Sequence, residues 1–249
     1  MSKITAIIPT LNEEIHIEAA IASVSFADEI IVIDSFSSDN TVQLAKQHNV
    51  KIIQREFDDF SSQKNYAIAQ ASHHWIYILD ADERVTPQVR AEILKAVKSP
   101  NGNVGFFVRR SFYFMGKNLQ YGGCQRDKVL RLFLKDFCQY QGLVHETIVA
   151  NGPIGFFKHK IDHFSYKNYN HYISKMNLYA ELRAKEYFKQ ELRPNPFHFV
   201  IKPIARFCIH YLIRFGFLDL YPGFVWARVQ AYGVFARYAK LWLLRKKLK

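Results

Sequence analysis

Apolar and polar positions follow two alternating rhythms along the first hundred residues. ITAIIP (4–9) is a continuous apolar run of strand length, and behind Asn12 the residues Ile17, Ile21 and Val24 recur at helical spacing. EIIVIDS (29–35) reads as a second strand, with Asp39-Asn40-Thr41 opening a helix through about His48. VKIIQR (50–55) reads as a third strand, followed by a helix over 61–72. HWIYILD (74–80) is a fourth strand, and TPQVRAEILKAV (86–97) a helix that ends near Asn101-Gly102. Strands and helices alternating over short links predict an α/β fold, a mostly parallel twisted sheet with flanking helices. Ligands of such sheets sit beyond the carboxyl ends of the strands. The turn Pro9-Thr10-Leu11-Asn12-Glu13, Asp34 and Asp80 all fall at such ends.

The rhythm then changes. GFFVRRSFYF (105–114) and KVLRLFL (128–134) read as strands separated by a Gly-rich loop, and Gly142 to His163 as short strands and turns. A long helix is predicted over 168–190, where Tyr172, Met176, Tyr179, Arg183 and Tyr187 recur at three- and four-residue steps before Pro194 and Pro196 break it. No internal repeat or flexible linker interrupts the chain. The expected organisation is one domain over 1–190 and a helical C-terminal extension over 191–249.

Charge separates those two parts. The formal balance of the 249 residues is +12, yet Pro196 to Lys249 holds ten Lys or Arg against one acid, Asp219, so the other 195 residues carry only +3. A nearly neutral body with a basic, aromatic tail points away from nucleic acid and towards an anionic membrane surface. No charge-free stretch of the tail reaches the roughly 20 residues needed to cross a bilayer. Its helices suit the membrane interface, and the ending RKKLK adds on the order of 1 kcal/mol per basic residue near anionic lipid. The alternative is a helical subdomain packed on the core with solvated basic faces. Three cysteines without paired short spacing suggest a reducing compartment and argue against a cysteine-based zinc site. The N-terminus lacks the features of a secretory signal, so a cytoplasmic location is expected.

YILDADERV (77–85) ends an apolar run on two acids one position apart. One reading is a turn in which Asp82 or Thr86 caps a helix begun by Pro87. The other is that Asp80 and Asp82, on either side of Ala81, share a cation. No GxGxxG follows the first strand and no Walker loop is present, which weakens a dinucleotide or P-loop reading. Acids at the ends of parallel strands suit Mg2+ or Mn2+, held by one or two carboxylates with positions left for substrate phosphates.

The joint order of IIPTLNEE, VIDSFSSDNT, QKNYAIAQA and ILDADE resembles a family 2 glycosyltransferase of GT-A fold. KVLRLF, GLVHETI and IDHFSYKNYNHYISKMNLYAELRAKEY add a likeness to the branch containing lipopolysaccharide-core β-1,4-glucosyltransferases that act on heptose. The resemblance covers residues 3 to about 190. It implies an inverting, metal-dependent transfer of one hexose, glucose from UDP-glucose, to a lipid-anchored saccharide at the cytoplasmic face of the inner membrane. Pro9, Thr10, Leu11, Glu13 and Asp34 match the nucleoside-binding region, and Lys64 a polar position near base or phosphate. Asp80 and Ala81 match the ribose and metal region, Asp82 the metal ligand, and His163 a position that completes the metal shell or contacts the diphosphate. Arg131 is a candidate for donor or acceptor phosphate, because Arg recognises such groups bidentately, or else a cross-strand salt-bridge partner. The acceptor hydroxyl needs a general base, and Glu146 in VHET is the candidate.

The chain departs from many relatives in two places. Asp34-Ser35-Phe36-Ser37 replaces a paired acid with Gly-Ser, and His145-Glu146 replaces a Glu-Asp pair. The Gln-x-x-Arg-Trp signature of processive polymerases is absent, which favours a single transfer. The alternatives are the same chemistry on a polyprenyl phosphate or peptide, or a non-catalytic basic module that binds anionic lipid or nucleic acid.

Overall fold

The computed structural model describes residues 2–124, 127–142, 147–165 and 169–248. Its first half runs β1 (Ile4–Thr10), α1 (Ile17–Ser23), β2 (Glu29–Asp34), α2 (Thr41–Ala45), β3 (Lys51–Gln54), α3 (Phe60–Ala69), β4 (Trp75–Ile78), β5 (Glu83–Arg84) and α4 (Pro87–Lys98). The remainder runs β6 (Gly105–Phe114), β7 (Lys117–Leu119), β8 (Lys128–Leu134), β9 (Cys138–Gln141), β10 (Thr147–Ala150), β11 (Ile154–His163), α5 (Tyr169–Lys189), α6 (Pro196–Phe199), α7 (Ile201–Cys208) and α8 (Leu220–Lys246). A π-helical turn (Ile209–Ile213) and a 3-10 turn (Gly216–Asp219) lie between α7 and α8.

Among the described residues nine strands form one mixed sheet in the order β3-β2-β1-β4-β8-β6-β11-β5, with β7 paired to β6, while β9 and β10 form a separate hairpin. The β3-β2-β1-β4 half is parallel, and β8 joins β4 antiparallel. Successive residues of β1 point to opposite faces, and both faces are buried. Ala6 and Ile8 join one core cluster with Val32, Tyr77 and the helices α1 and α4, whereas Ile7 joins another with Ile31, Ile33, Ile78 and Ala67 and Ile68 of α3. Helices on both sides explain why these strands are continuous apolar runs. Chain order places β2 on one side of β1 and β4 on the other, so the crevice beyond β1 and β4 is a topological switch point.

Three local expectations are corrected. Asn12 does not cap α1, which begins at Ile17. Asn12 takes a left-handed φ of +55°, and its side-chain oxygen accepts the Ser38 N–H, so it braces a loop instead. The second helix stops at Ala45. The segment before His163 includes one ten-residue strand, β11, that enters the main sheet. Thr86, with Pro87 at the first helical position, caps α4 by accepting the Val89 N–H.

The chain divides into two compact units, Met1–Arg110 with Asp127–His163, and Ser111–Arg126 with Phe164–Lys249. The boundary expected at 190/191 therefore does not separate the units, because α5 packs along α8. In the second unit Tyr172 of α5 stacks on Trp226 of α8 at 5.4 Å, and Phe114 and Leu119 close the same cluster. The buried positions of α5 are Tyr172, Ala180 and Ala184, while Tyr179 and Arg183 face solvent. No helix among the described residues is long and apolar enough to cross a membrane. Cys138 and Cys208 are free thiols.

Candidate active site

Three strand ends of the parallel half build the site, all within the first unit. Thr10 ends β1 in register with Asp34, which ends β2 in register with Gln54. Asp34 is fully buried, accepting the Ser37 N–H and the Gln54 amide at 3.1 Å each and the Ser37 hydroxyl. The loops after β1 and β2 are stitched together: the Asn12 N–H donates to Ser37 Oγ (2.9 Å), Glu13 N–H to Thr41 Oγ1 (2.8 Å) and Glu14 N–H to Asp39 (3.2 Å). These bonds fix the backbone from Pro9 to Glu13 while Leu11 stays exposed. Thr10 is buried, and its hydroxyl oxygen has no hydrogen-bond partner among the described residues.

Beyond β4 the chain makes a tight turn, with the Glu83 N–H donating to Asp80 O at 2.9 Å. Arg84 fastens that turn to the start of α1, donating to Ala81 O (2.8 Å) and His16 O (2.9 Å). The acids of the turn are not left to repel one another. Arg131, almost wholly buried on β8, donates to Asp80 and also to Glu83 at 2.6 Å. Lys64 of α3 lies 3.6 Å from the other Asp80 oxygen, and Arg110 of β6 reaches Glu83 at 3.3 Å and Asp127 at 2.6 Å. Burial alone would raise the Asp80 pKa, but Arg131 and then Lys64 hold it far below the usual carboxylate range. Burial also opposes the charge on Arg131, and Asp80 and Glu83 more than restore it.

Asp82 faces elsewhere. β5 pairs with β11 so that Glu83 is opposite His163, which sets His163 Nε2 3.5 Å from Asp82 Oδ2. An oxygen and a nitrogen at that spacing fit a divalent cation whose other positions are filled by phosphate oxygens or water. Asp80 is engaged by Arg131 and Lys64 and does not join them. Among the described residues no group of three or more His, Cys, Asp or Glu is placed to hold a metal. Asp82 and His163 are the pair that could hold a divalent cation, should one bind at this turn. Glu146 lies outside the described residues.

Next to Asp80 opens a cleft of about 430 Å3, lined by Arg110, Lys128 and Arg131 with Phe107 and Tyr140. Lys64 Nζ sits 5.1 Å from the Tyr140 ring centroid, and Lys128 Nζ 4.9 Å from that of Phe107. The structure thus brings Lys64, Asp80 and Arg131 into one network, sets Asp82 beside His163, and buries Ala81 beneath the turn. It does not bring Asp80 to His163 as one ligand set. Sequence reading missed Glu83, Arg110 and Gln54. Glu83 carried a signal, as a third acid at a strand end that proves to be fully buried. Arg110 could be suspected from a cation in the middle of an apolar strand, but Gln54 had none.

A parallel half-sheet whose switch point gathers acids and cations is the frame of a GT-A-type, nucleotide-sugar-dependent transferase. Residues 5–177 match the sequence model of Glycosyl transferase family 2, and the chain belongs to that family. It is 31% identical to a glycosyltransferase of Rickettsia felis over 97% of this chain and 90% of that one. It is 26% identical to the lipopolysaccharide core biosynthesis glycosyltransferase LpsC of Rhizobium meliloti over 95% and 93%. Among solved structures it is similar to glucosyl-3-phosphoglycerate synthase of Mycobacterium tuberculosis in complex with Mn2+, UDP and glucosyl-3-phosphoglycerate. That likeness has a TM-score of 0.39 and 24% identity, over 45% of this chain and 44% of that one.

Proposed function

We propose that the chain transfers a single glucose from UDP-glucose to a lipid-anchored saccharide, such as the heptose of the lipopolysaccharide inner core, with inversion at the anomeric carbon. The observation that carries this reading is the turn after β4, where Asp82 lies 3.5 Å from His163 while Asp80 lines a cleft with Arg110, Lys128 and Arg131. The name of the Rhizobium relative supports the choice of acceptor.

The uridine lies against the fixed backbone from Pro9 to Glu13, near Thr10 and Asp34, and the diphosphate against Lys64 and Arg131. When bound between Asp82 and His163, a divalent cation supplies positive charge for the departing diphosphate. The acceptor hydroxyl oxygen attacks the anomeric carbon as its proton passes to Glu146, and the bond to the diphosphate oxygen breaks. Direct displacement turns an α-linked donor into a β-linked product. The basic extension holds the protein on the cytoplasmic face of an anionic membrane, where a lipid-anchored acceptor is presented.

Calorimetric titration with UDP tests the donor half, first with Mn2+ and then with EDTA. Metal-dependent binding that is lost in Asp82→Ala supports the assignment, provided the variant melts like the parent. Binding indifferent to both EDTA and the substitution would overturn it.

A further inference from the structure

Between Phe197 and Phe224 twelve large apolar side chains are exposed, a density unlike the rest of the chain. On α7, Ile201 and Ile204 share one exposed face. The turns that follow expose Ile213 (69%), Leu218 and Leu220, and Tyr221 is 83% exposed. Phe215 and Leu220 both hold a left-handed φ of +57°, a conformation bulky side chains rarely adopt. Rings tie the segment together: Phe207 packs on Tyr211 at 5.2 Å, and both meet Phe224 of α8 at 5.8 and 5.6 Å.

The charges of this segment are one-sided. Asp219, the only acid after Glu191, is 2% exposed. Its oxygens accept the backbone N–H groups of Gln120 (3.2 Å) and Tyr121 (2.8 Å), with Lys117 Nζ at 3.9 Å. Among the described residues Arg206, Arg214 and Arg237 form no ion pair, and Arg206 Nε is buried without a hydrogen-bond partner. Burial, and then the charges of Arg237 and Arg214 nearby, hold Arg206 below the ordinary arginine range. Guanidinium groups that repel one another beside exposed Ile, Leu and Phe match the two layers of an anionic bilayer, phosphates outside and acyl chains beneath.

We propose that α7 and the turn from Leu212 to Phe224 form a wedge that inserts its apolar side chains into the outer acyl layer of an anionic phospholipid membrane, while Arg206, Arg214 and Arg237 bind lipid phosphates. This rests on the reading of the chain as a membrane-associated transferase, and it moves the anchor from the basic C-terminal end to an apolar turn. Attachment by RKKLK alone is electrostatic and is screened away by salt. Attachment by the wedge persists.

The test is co-sedimentation of the full-length protein with vesicles of phosphatidylethanolamine and phosphatidylglycerol, or of phosphatidylcholine alone, from about 0.15 M to about 1 M salt. The wild type should bind the anionic vesicles and keep much of that binding at high salt. Ile213→Glu with Leu218→Glu should lower high-salt binding on the order of tenfold or more, since two apolar side chains that would enter the acyl layer are replaced by charges. Arg206→Gln with Arg214→Gln should instead reduce the preference for anionic lipid, leaving the share that Arg237 and RKKLK supply. Tyr221→Trp gives a readout free of folding doubts: its emission should shift to the blue and be quenched by brominated acyl chains. Quenching absent in bound protein would overturn the wedge, as would unchanged high-salt binding by the double glutamate variant. Concentration-dependent dimers abolished by the same substitutions, without vesicle binding, would assign the face to a second copy and overturn the lipid. UDP titration runs in parallel: vesicle binding without UDP binding would sink the transferase reading and leave the wedge standing.

Discussion

The carboxylate of Asp80 is bound by the guanidinium of Arg131, and the same Nη2 donates to Glu83 at 2.6 Å. An apolar strand can end on clustered acids here because β8 brings a cation under them. Under the proposed function the pairing is a reserve of positive charge, for which an incoming diphosphate would compete with Asp80 at Arg131 and Lys64.

Removing Arg131 should therefore cost fold before it costs chemistry. Glu83 is completely buried, and Arg131→Ala would leave it with the Arg110 guanidinium and the Asp80 N–H, each at 3.3 Å. Stranding one member of a buried ion pair costs about 3 kcal/mol or more. Urea unfolding at neutral pH should show that loss, and Glu83→Gln with Arg131→Ala should recover part of it. A loss below about 1 kcal/mol would mean that the Arg131–Glu83 pair contributes little to the fold.

The parallel half was legible because its strands are buried on both faces, so ITAIIP, EIIVID and WIYI are apolar without alternation. Their order alone puts Thr10, Asp34 and Asp80 at one edge of the sheet. The partners of those residues were not legible. Arg131 lies 51 positions from Asp80, and only the antiparallel β4–β8 pairing makes them neighbours. Asp80 and Asp82 read alike in sequence, yet the turn sends one to cations and the other to His163. In α5, spacing alone could not decide between Tyr179 and Ala180. Ala180 and Ala184 are inside because α8 approaches closely there, and small side chains permit that approach.

Acid should weaken the fold partly through Glu29, far from the site. Its carboxylate accepts from Thr5 Oγ1 (2.6 Å), Ser72 N–H (2.8 Å) and Ser72 Oγ (2.9 Å). Partial burial pushes its pKa up, but these bonds and Lys51 bring it below the ordinary 4.5. The unfolded chain therefore binds a proton more readily. The stabilisation is complete above the unfolded pKa and is lost as pH falls through the lower folded value. Thermal melts of wild type and Glu29→Gln should differ at pH 7 and converge towards about pH 3. A gap that stays constant would remove Glu29 from the acid response, and UDP binding should be equal in both proteins at pH 7.

Two glycines of α8 should respond oppositely to an added methyl. A Cβ on Gly223 would lie 1.9 Å from the backbone oxygen of Gly216, which cannot yield without opening the turn. A Cβ on Gly233 would meet only the terminal methyl of Met176, at 2.4 Å, and that side chain can rotate away. Gly223→Ala should destabilise by on the order of 2 kcal/mol or more and expose the turn to protease. Gly233→Ala should be close to neutral, because helix propensity gained offsets the repacking. Equal proteolysis of the two variants would show that the Gly216–Gly223 contact does not set the turn.

The metal assignment makes a prediction that separates the two aspartates. If Asp82 and His163 hold the cation, Asp82→Asn should abolish Mn2+ binding in the presence of UDP. His163→Ala should weaken it on the order of tenfold or more, as loss of a ligand does, with the melt unchanged. Asp80→Asn should act differently. Its partners are Arg131 and Lys64, so the substitution frees two cations beside the proposed diphosphate site and should leave Mn2+ affinity within a few-fold while shifting UDP affinity measured in EDTA upward. Mn2+ titration of the three variants, each with and without UDP, reads all of this in one series. Should Asp80→Asn cost more Mn2+ affinity than His163→Ala, Asp80 must leave Arg131 for the metal when the donor binds. The ion pair described here would then be the resting state of a carboxylate that changes partners.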